Sequence, residues 1–144
     1  MNRGNFAYYF CKQIGVEIER GDEAQIAFVC WAAAEGGKAS FNPLNTTLWR
    51  PGSTNYNSVG VKNYPSFDVG VEATASTLNY GADRFKYGYR PIRRRFRKNR
   101  NAERILRAVE ASEWGTGGLA LRVLADVRAG RQDFDVLRQV PINE

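Results

Sequence analysis

Apolar residues recur at helical spacing along most of the chain. Phe6, Tyr9, Phe10 and Ile14 share one face and predict a first helix over residues 4–19. Gly21 and Asp22 offer a stop and an N-cap. Ile26, Val29, Cys30 and Ala33 predict a second helix from about Glu23 to Glu35, closed by Gly36-Gly37. Asn, Thr, Ser, Gly and Pro dominate residues 36–65, a long irregular segment within which Ser58 to Tyr64 alternates like a short strand. Ser66 can cap a third helix through about Asn79, with Phe67, Val71, Thr74, Ala75 and Leu78 inward and Gly81 as its stop. Ile92 and Phe96 stand at i, i+4. Asn101 can cap a helix through about Ser112, with Ile105, Leu106 and Val109 inward. Residues 113–118 read as a turn, Leu119 to Ala129 as a last helix, and Phe134, Val136, Leu137 and Val140 as an apolar tail. The expected class is mainly α (α+β), with a short β-hairpin or strand region near residues 56–64.

The chain has 144 residues and is 43% hydrophobic, enough to bury a core without disulfide or metal staples. No apolar run approaches the roughly 18 residues of a membrane span. The first residues lack an apolar h-region and a small-residue cleavage site, so no signal peptide is expected. Cys11 and Cys30 sit in apolar surroundings and are expected as two buried thiols rather than a disulfide. No metal site and no cofactor are expected.

Histidine is absent. That excludes Ser-His-Asp and Cys-His nucleophile pairs and removes the usual ligands of catalytic zinc. Hydrolytic chemistry would fall to carboxylates, and glycosidic cleavage is a common carboxylate-only reaction. Glu35 stands out because it falls in the last turn of its helix. The macrodipole disfavours an anion there, which suits a carboxyl needed in its protonated form.

Charge is unevenly spread. Between Arg84 and Arg107 lie eleven Lys or Arg and one acid, Glu103. The whole chain is only +6, so the remainder is slightly acidic. Three readings of this block stay open: a solvated helix face with Ile92 and Phe96 inward, a contact to anionic wall polymer or peptidoglycan stem carboxylates, or a site for nucleic acid or an acidic protein.

Three stretches carry a family resemblance. They are Trp31-Ala-Ala-Ala-Glu35-Gly-Gly with Phe41-Asn42-Pro43-Leu44-Asn45-Thr46-Thr47, then Asn55-Tyr-Asn57-Ser58-Val-Gly60-Val-Lys-Asn63-Tyr64-Pro65 running into Gly70 to Leu78, then Ala111-Ser112-Glu113-Trp114-Gly115-Thr116-Gly117. Their order resembles the lysozyme-like domains of actinobacteriophage tail proteins and endolysins, and more distantly lytic transglycosylases and goose-type lysozymes. The resemblance implies a lysozyme-like fold, with helices around a cleft, over residues 1–118. The basic residues 84–100 would be an insertion, and residues 119–144 a C-terminal helix and tail packing on the domain or on a partner.

It also implies peptidoglycan as substrate and Glu35 as catalytic acid. Asn57, Ser58, Gly60 and Asn63 would line the cleft, and Tyr64 and Tyr80, with Tyr87 and Tyr89, could stack on sugar rings. Asn42 and Asn45 would brace the loop, and Trp114 would anchor the core. No Asp or Glu occurs from Gly36 through Phe67, and Asp68 and Glu72 are expected on a solvated helix face. A lone Glu suits a lytic transglycosylase-like mechanism, while a single-Glu hydrolase that positions water with Asn or Thr stays open. The expected setting is a phage virion tail, with other tail proteins as partners, or release at the host cell wall. Two alternatives are a tail structural or binding protein that keeps the fold with little catalysis, and a nucleic-acid-binding module using the basic block.

Overall fold

The computed structural model describes residues 3–131. Among them are six helices and one hairpin: α1 (Arg3–Gln13), α2 (Glu23–Glu35), β1 (Thr54–Asn55), β2 (Lys62–Asn63), α3 (Phe67–Asp83), α4 (Tyr89–Lys98), α5 (Ala102–Glu110) and α6 (Leu119–Arg128). The protein is mainly helical. The expected apolar tail from Phe134 lies outside the described residues.

Helix α2 is apolar on nearly every side, as a helix surrounded by others must be. It touches α1, α5 and α6. Its Phe28 and Trp31 are fully buried in an aromatic chain: Phe10 to Phe28 at 4.6 Å, Phe28 to Trp31 at 6.2 Å and Trp31 to Phe96 at 6.3 Å between ring centroids. Ala120 and Leu124 of α6 join the same core. So do Ile92 and Phe96 of the basic helix α4, both 0% exposed, with the arginines on its other faces. Cys11 and Cys30 are buried free thiols, and burial pushes Cys30 up to about 12.

Two helix ends lie well away from those the periodicity predicts. Helix α1 ends at Gln13 instead of residue 19. Gly15 takes φ +85, donating from its N–H to Lys12 O while Val16 N–H reaches Cys11 O, the paired bonds of a Schellman stop. Helix α3 runs through Gly81 to Asp83. Gly81 is a close-packing residue: a Cβ there would lie 2.5 Å from Tyr89 Cδ2. The start of α2 is capped from a distance. Asp22 accepts from Glu19 N–H and Asn99 Nδ2, and Asn99 Oδ1 accepts from Ala24 N–H at 2.9 Å. The end of α4 thus fastens the central helix.

The extended stretch also differs in place. β1 pairs antiparallel with β2, Thr54 opposite Asn63 and Asn55 opposite Lys62, so Ser58 to Gly60 form the connecting turn. Asn57 Oδ1 accepts from Val59 and Val61 N–H, which turns the chain where alternation alone suggested a strand.

Candidate functional site

Glu35 is the last residue of α2, and Gly36 closes the helix in the left-handed region at φ 61. The segment after it returns over the helix end. Asn45, itself at φ 57, donates from Nδ2 to the Glu35 carbonyl at 3.1 Å and to Oε2 at 3.4 Å. Asn42 holds this return in shape. It is fully buried, donates to Thr46 O and Lys62 O, and accepts from Thr46 N–H and Oγ1. Both asparagines brace the loop, and Asn45 also reaches the carboxyl.

The Glu35 carboxyl is partly buried, and burial holds its pKa above the ordinary value. Asn45 and the Trp31 indole N–H, four residues back on the helix, act the other way by favouring the ionised form. Trp31 Nε1 is buried and has no other hydrogen-bond partner among the described residues. Glu110, the last residue of α5, adds a like charge that favours the protonated form.

Aromatic rings lead away from this carboxyl. Trp31 meets Trp114 edge-on at 4.9 Å, Trp114 meets Tyr89 at 5.1 Å, and Tyr89 meets Tyr87 at 5.2 Å. Trp114 is also tied to Leu44 O through its indole N–H. Tyr87 and Tyr89 open onto a cavity of about 600 Å³, whose wall includes Thr47, Trp49, Arg50, Thr77 and Tyr80. Trp49, 64% exposed, is the most accessible ring of this wall. Glu35 does not line the cavity. It connects to it through Tyr89, which senses the Glu35 charge, and through Asn45, two residues before Thr47. Tyr89 is pushed up to about 12, first by burial and then by Glu113, Tyr87 and Glu35, so its hydroxyl stays neutral near pH 7.

Of the expected wall residues, Tyr80 lines this cavity, with the Arg84 guanidinium 3.9 Å from its ring centroid. Asn57 and Ser58 are exposed in the hairpin connection with Gly60, and Asn57 is engaged in turning it. Asn63 braces two segments, accepting from Ser40 N–H and donating to Thr54 Oγ1. Tyr64 is 2% exposed, its hydroxyl donating to Leu48 O and shared with Thr46 Oγ1. It supports the cavity wall from behind. Tyr87 and Tyr89, also expected as stacking rings, line it too. Trp49 and Thr77 join the wall without a local signal beyond residue type; their neighbours are distant in sequence.

The acids near the site are occupied. Glu72 forms a two-pronged pair with Arg50 at 2.7 and 2.8 Å and accepts from Ser76, while its side chain stays 40% exposed, and Asp68 on the same helix is exposed. Arg50 in turn holds the Glu72 carboxyl below its usual range. Glu110 accepts from Thr116 N–H and Oγ1 and from Gly118 N–H at 2.6 Å, fixing the turn into α6. Among the described residues no group of three or more His, Cys, Asp or Glu is placed to hold a metal ion, and no helix is long and apolar enough to cross a membrane. The arrangement therefore offers one carboxyl tuned towards protonation, an amide fixed against it, and an adjoining open wall of rings and hydroxyls. No protein-family model, no curated protein and no solved structure matches the chain.

Proposed function

We propose that this chain is a lysozyme-like domain that cleaves the glycan strands of peptidoglycan, with Glu35 as its one catalytic acid. The observation that carries the reading is the setting of Glu35: a carboxyl at a helix C-terminus, raised in pKa by burial, and linked through Asn45 and Tyr89 to an aromatic cavity bearing hydroxyls. Rings of this kind stack on sugar faces, and Thr and Ser hydroxyls serve sugar hydroxyl and N-acetyl groups. A carboxyl whose pKa is raised by burial holds its proton to higher pH than a solvated one and can deliver it to a glycosidic oxygen.

In the single-acid route Glu35 protonates the leaving oxygen and the glycosidic bond breaks. The resulting carboxylate then takes the proton of a hydroxyl on the same sugar. That oxygen closes on the anomeric carbon, giving an anhydro ring and regenerating the acid without consuming water. In the hydrolytic variant water replaces that hydroxyl, and the product is a reducing end. The engagement of Glu72 and Glu110 by their own partners favours a route that needs one acid.

A purely structural tail protein would be favoured by Glu35 locked to an arginine of residues 90–100. The carboxyl instead meets Asn45, and among the described residues no ion pair involves it. The domain would act in a phage virion tail or after release at the host wall. The test is mass spectrometry of muropeptides after digestion of purified peptidoglycan. Anhydro or reducing ends are expected from the wild type and none from Glu35→Gln with its fold intact. Equal activity in that variant would remove the assignment.

A further inference from the structure

The exposed surface of α4 and the start of α5 carries a cation cluster that the cleavage chemistry does not use. Some of its charges are committed. Arg93 pairs with Asp83 at 2.6 Å, Arg107 pairs with Glu103 at 2.6 Å, Arg97 Nε donates to Ile14 O, and Arg90 Nε donates to Ala82 O. Arg94, Arg95, Lys98, Arg100 and Arg104 have no carboxylate partner among the described residues. They gather around two adjoining depressions, one running from Arg90 to Lys98 and the other from Arg95 to Arg104. Like charges held this close repel one another, and an anion seated between them relieves that repulsion.

The side chains also say what kind of anion. The ring of α4's basic stretch, Phe96, is fully buried, and the exposed Phe85 at the start of the block lines neither depression and has the Arg90 guanidinium 3.1 Å from its ring centroid, so no aromatic platform lies within the depressions to stack a base. The neighbouring amides are taken: Asn101 caps α5 through Arg104 N–H, and Asn99 caps α2 through Ala24 N–H. What remains is mostly guanidinium, whose planar fork binds phosphate or carboxylate oxygens in pairs. Such a surface reads charge density, not base identity. Stem peptides carry amines beside their carboxylates, whereas a polymer with one phosphodiester per repeat is anionic throughout. The surface is also continuous with the candidate site along one helix. Arg90, on the rim of the first depression, directly follows Tyr89, which lines the cavity.

We propose that the α4–α5 surface docks on a phosphodiester-linked anionic polymer of the bacterial cell wall and so holds the domain where its glycan lies. The choice of this polymer over other polyanions rests on the proposed peptidoglycan-cleaving function. The test is co-sedimentation of the full chain at about 0.15 M salt. One arm uses walls bearing poly(glycerol phosphate); the other uses the same walls stripped of phosphodiesters by hydrofluoric acid. Retention should fall about tenfold on stripped walls, and by a similar factor for the combined variant Arg94→Gln, Lys98→Gln, Arg100→Gln on intact walls. Soluble poly(glycerol phosphate) should release the bound protein. Among the described residues the three substituted side chains have no carboxylate partner, so the thermal midpoint of the variant should match the wild type.

Equal retention on stripped walls, or by the folded variant, overturns the proposal. Release by duplex DNA at a lower phosphate concentration than by poly(glycerol phosphate) also overturns it and reassigns the surface to nucleic acid. Glu35→Gln must sediment like the wild type, because docking does not need that carboxyl. Product release from stripped walls is scored separately. Phosphate-dependent retention without products would remove the cleavage reading and leave the docking surface standing.

Discussion

Replacing Asn42 by Ala perturbs the site without touching Glu35. The side chain is fully buried and makes four hydrogen bonds, to Thr46 O, Lys62 O, Thr46 N–H and Thr46 Oγ1. Some of these partners have a second bond. Thr46 O still accepts from Lys62 N–H, and Thr46 Oγ1 keeps Tyr64. Thr46 N–H and Lys62 O lose the partners that Asn42 supplied. A buried polar group left unpaired costs roughly 1–3 kcal/mol, so the variant should lose about 3 kcal/mol. With a urea slope of about 1.5 kcal/mol/M, the unfolding midpoint should fall by roughly 2 M. The same change frees the segment that sets Asn45 against Glu35, so activity should fall well below the wild type while the variant is still folded. Urea titration by circular dichroism, with turnover measured below the transition, reads both effects. A loss under about 1 kcal/mol would refute the view that Asn42 organises this loop.

Three further outcomes follow from the same geometry. Glu35→Gln should stabilise the fold at pH 7: the folded-state pKa is raised, so ionised Glu35 opposes folding above that pKa. The gain should shrink as pH falls through that pKa towards the unfolded value, where wild-type Glu35 is protonated, and melting curves at pH 4 and pH 7 would show no difference in gain if the carboxyl were freely solvated. Asn45→Ala removes a donor that favours the ionised form, so the alkaline limb of the pH–activity profile should move to higher pH; an unmoved limb would deny the contact any influence on Glu35. Gly70→Ala would drive a Cβ into the Phe41 carbonyl where α3 abuts the returning loop, and calorimetry should report a loss of about 3 kcal/mol.

Much of the helical framework was legible because periodicity is a local signal. Glu23 to Glu35, the Ser66 cap and the Asn101 cap stand where the sequence put them, since each depends on residues within one or two turns. Glycines were less legible. Gly36 ends a helix, but Gly81 sits inside one, because the rings of Tyr87 and Tyr89 need the space. A stop and a packing gap use the same letter. Of the site, Glu35 could be picked out by its place in the helix and Tyr89 by its ring type, but the link between them could not, because Tyr89's partners Trp114 and Glu35 come from separate elements. Tyr64 shows the opposite limit: its ring type suited a sugar contact, but its hydroxyl is held by Leu48 and Thr46. Nothing within a few residues of Tyr64 indicates which of these partners it will meet.

The number of acids in the mechanism turns on Glu110. The long segment after Glu35 contains no acid through Phe67, yet the fold brings Glu110 from α5 close enough for its charge to raise the Glu35 pKa. Proximity alone would suit a paired mechanism. The bonds argue otherwise, because Glu110 is already receiving Thr116 and Gly118 and has the geometry of a cap. Glu110→Gln separates the two roles. An amide loses one acceptor and presents donors to N–H groups, so stability should fall by about 1–3 kcal/mol. Removing the like charge should also lower the Glu35 pKa, moving the alkaline limb of the pH–activity profile to lower pH while activity at acid pH largely persists. A nucleophile or base, by contrast, would take activity down by orders of magnitude at every pH when made an amide. A pH profile of the folded variant distinguishes these outcomes. A uniform collapse would make Glu110 a working member of the site and end the single-acid reading; a displaced limb would make it the charge that keeps Glu35 protonated.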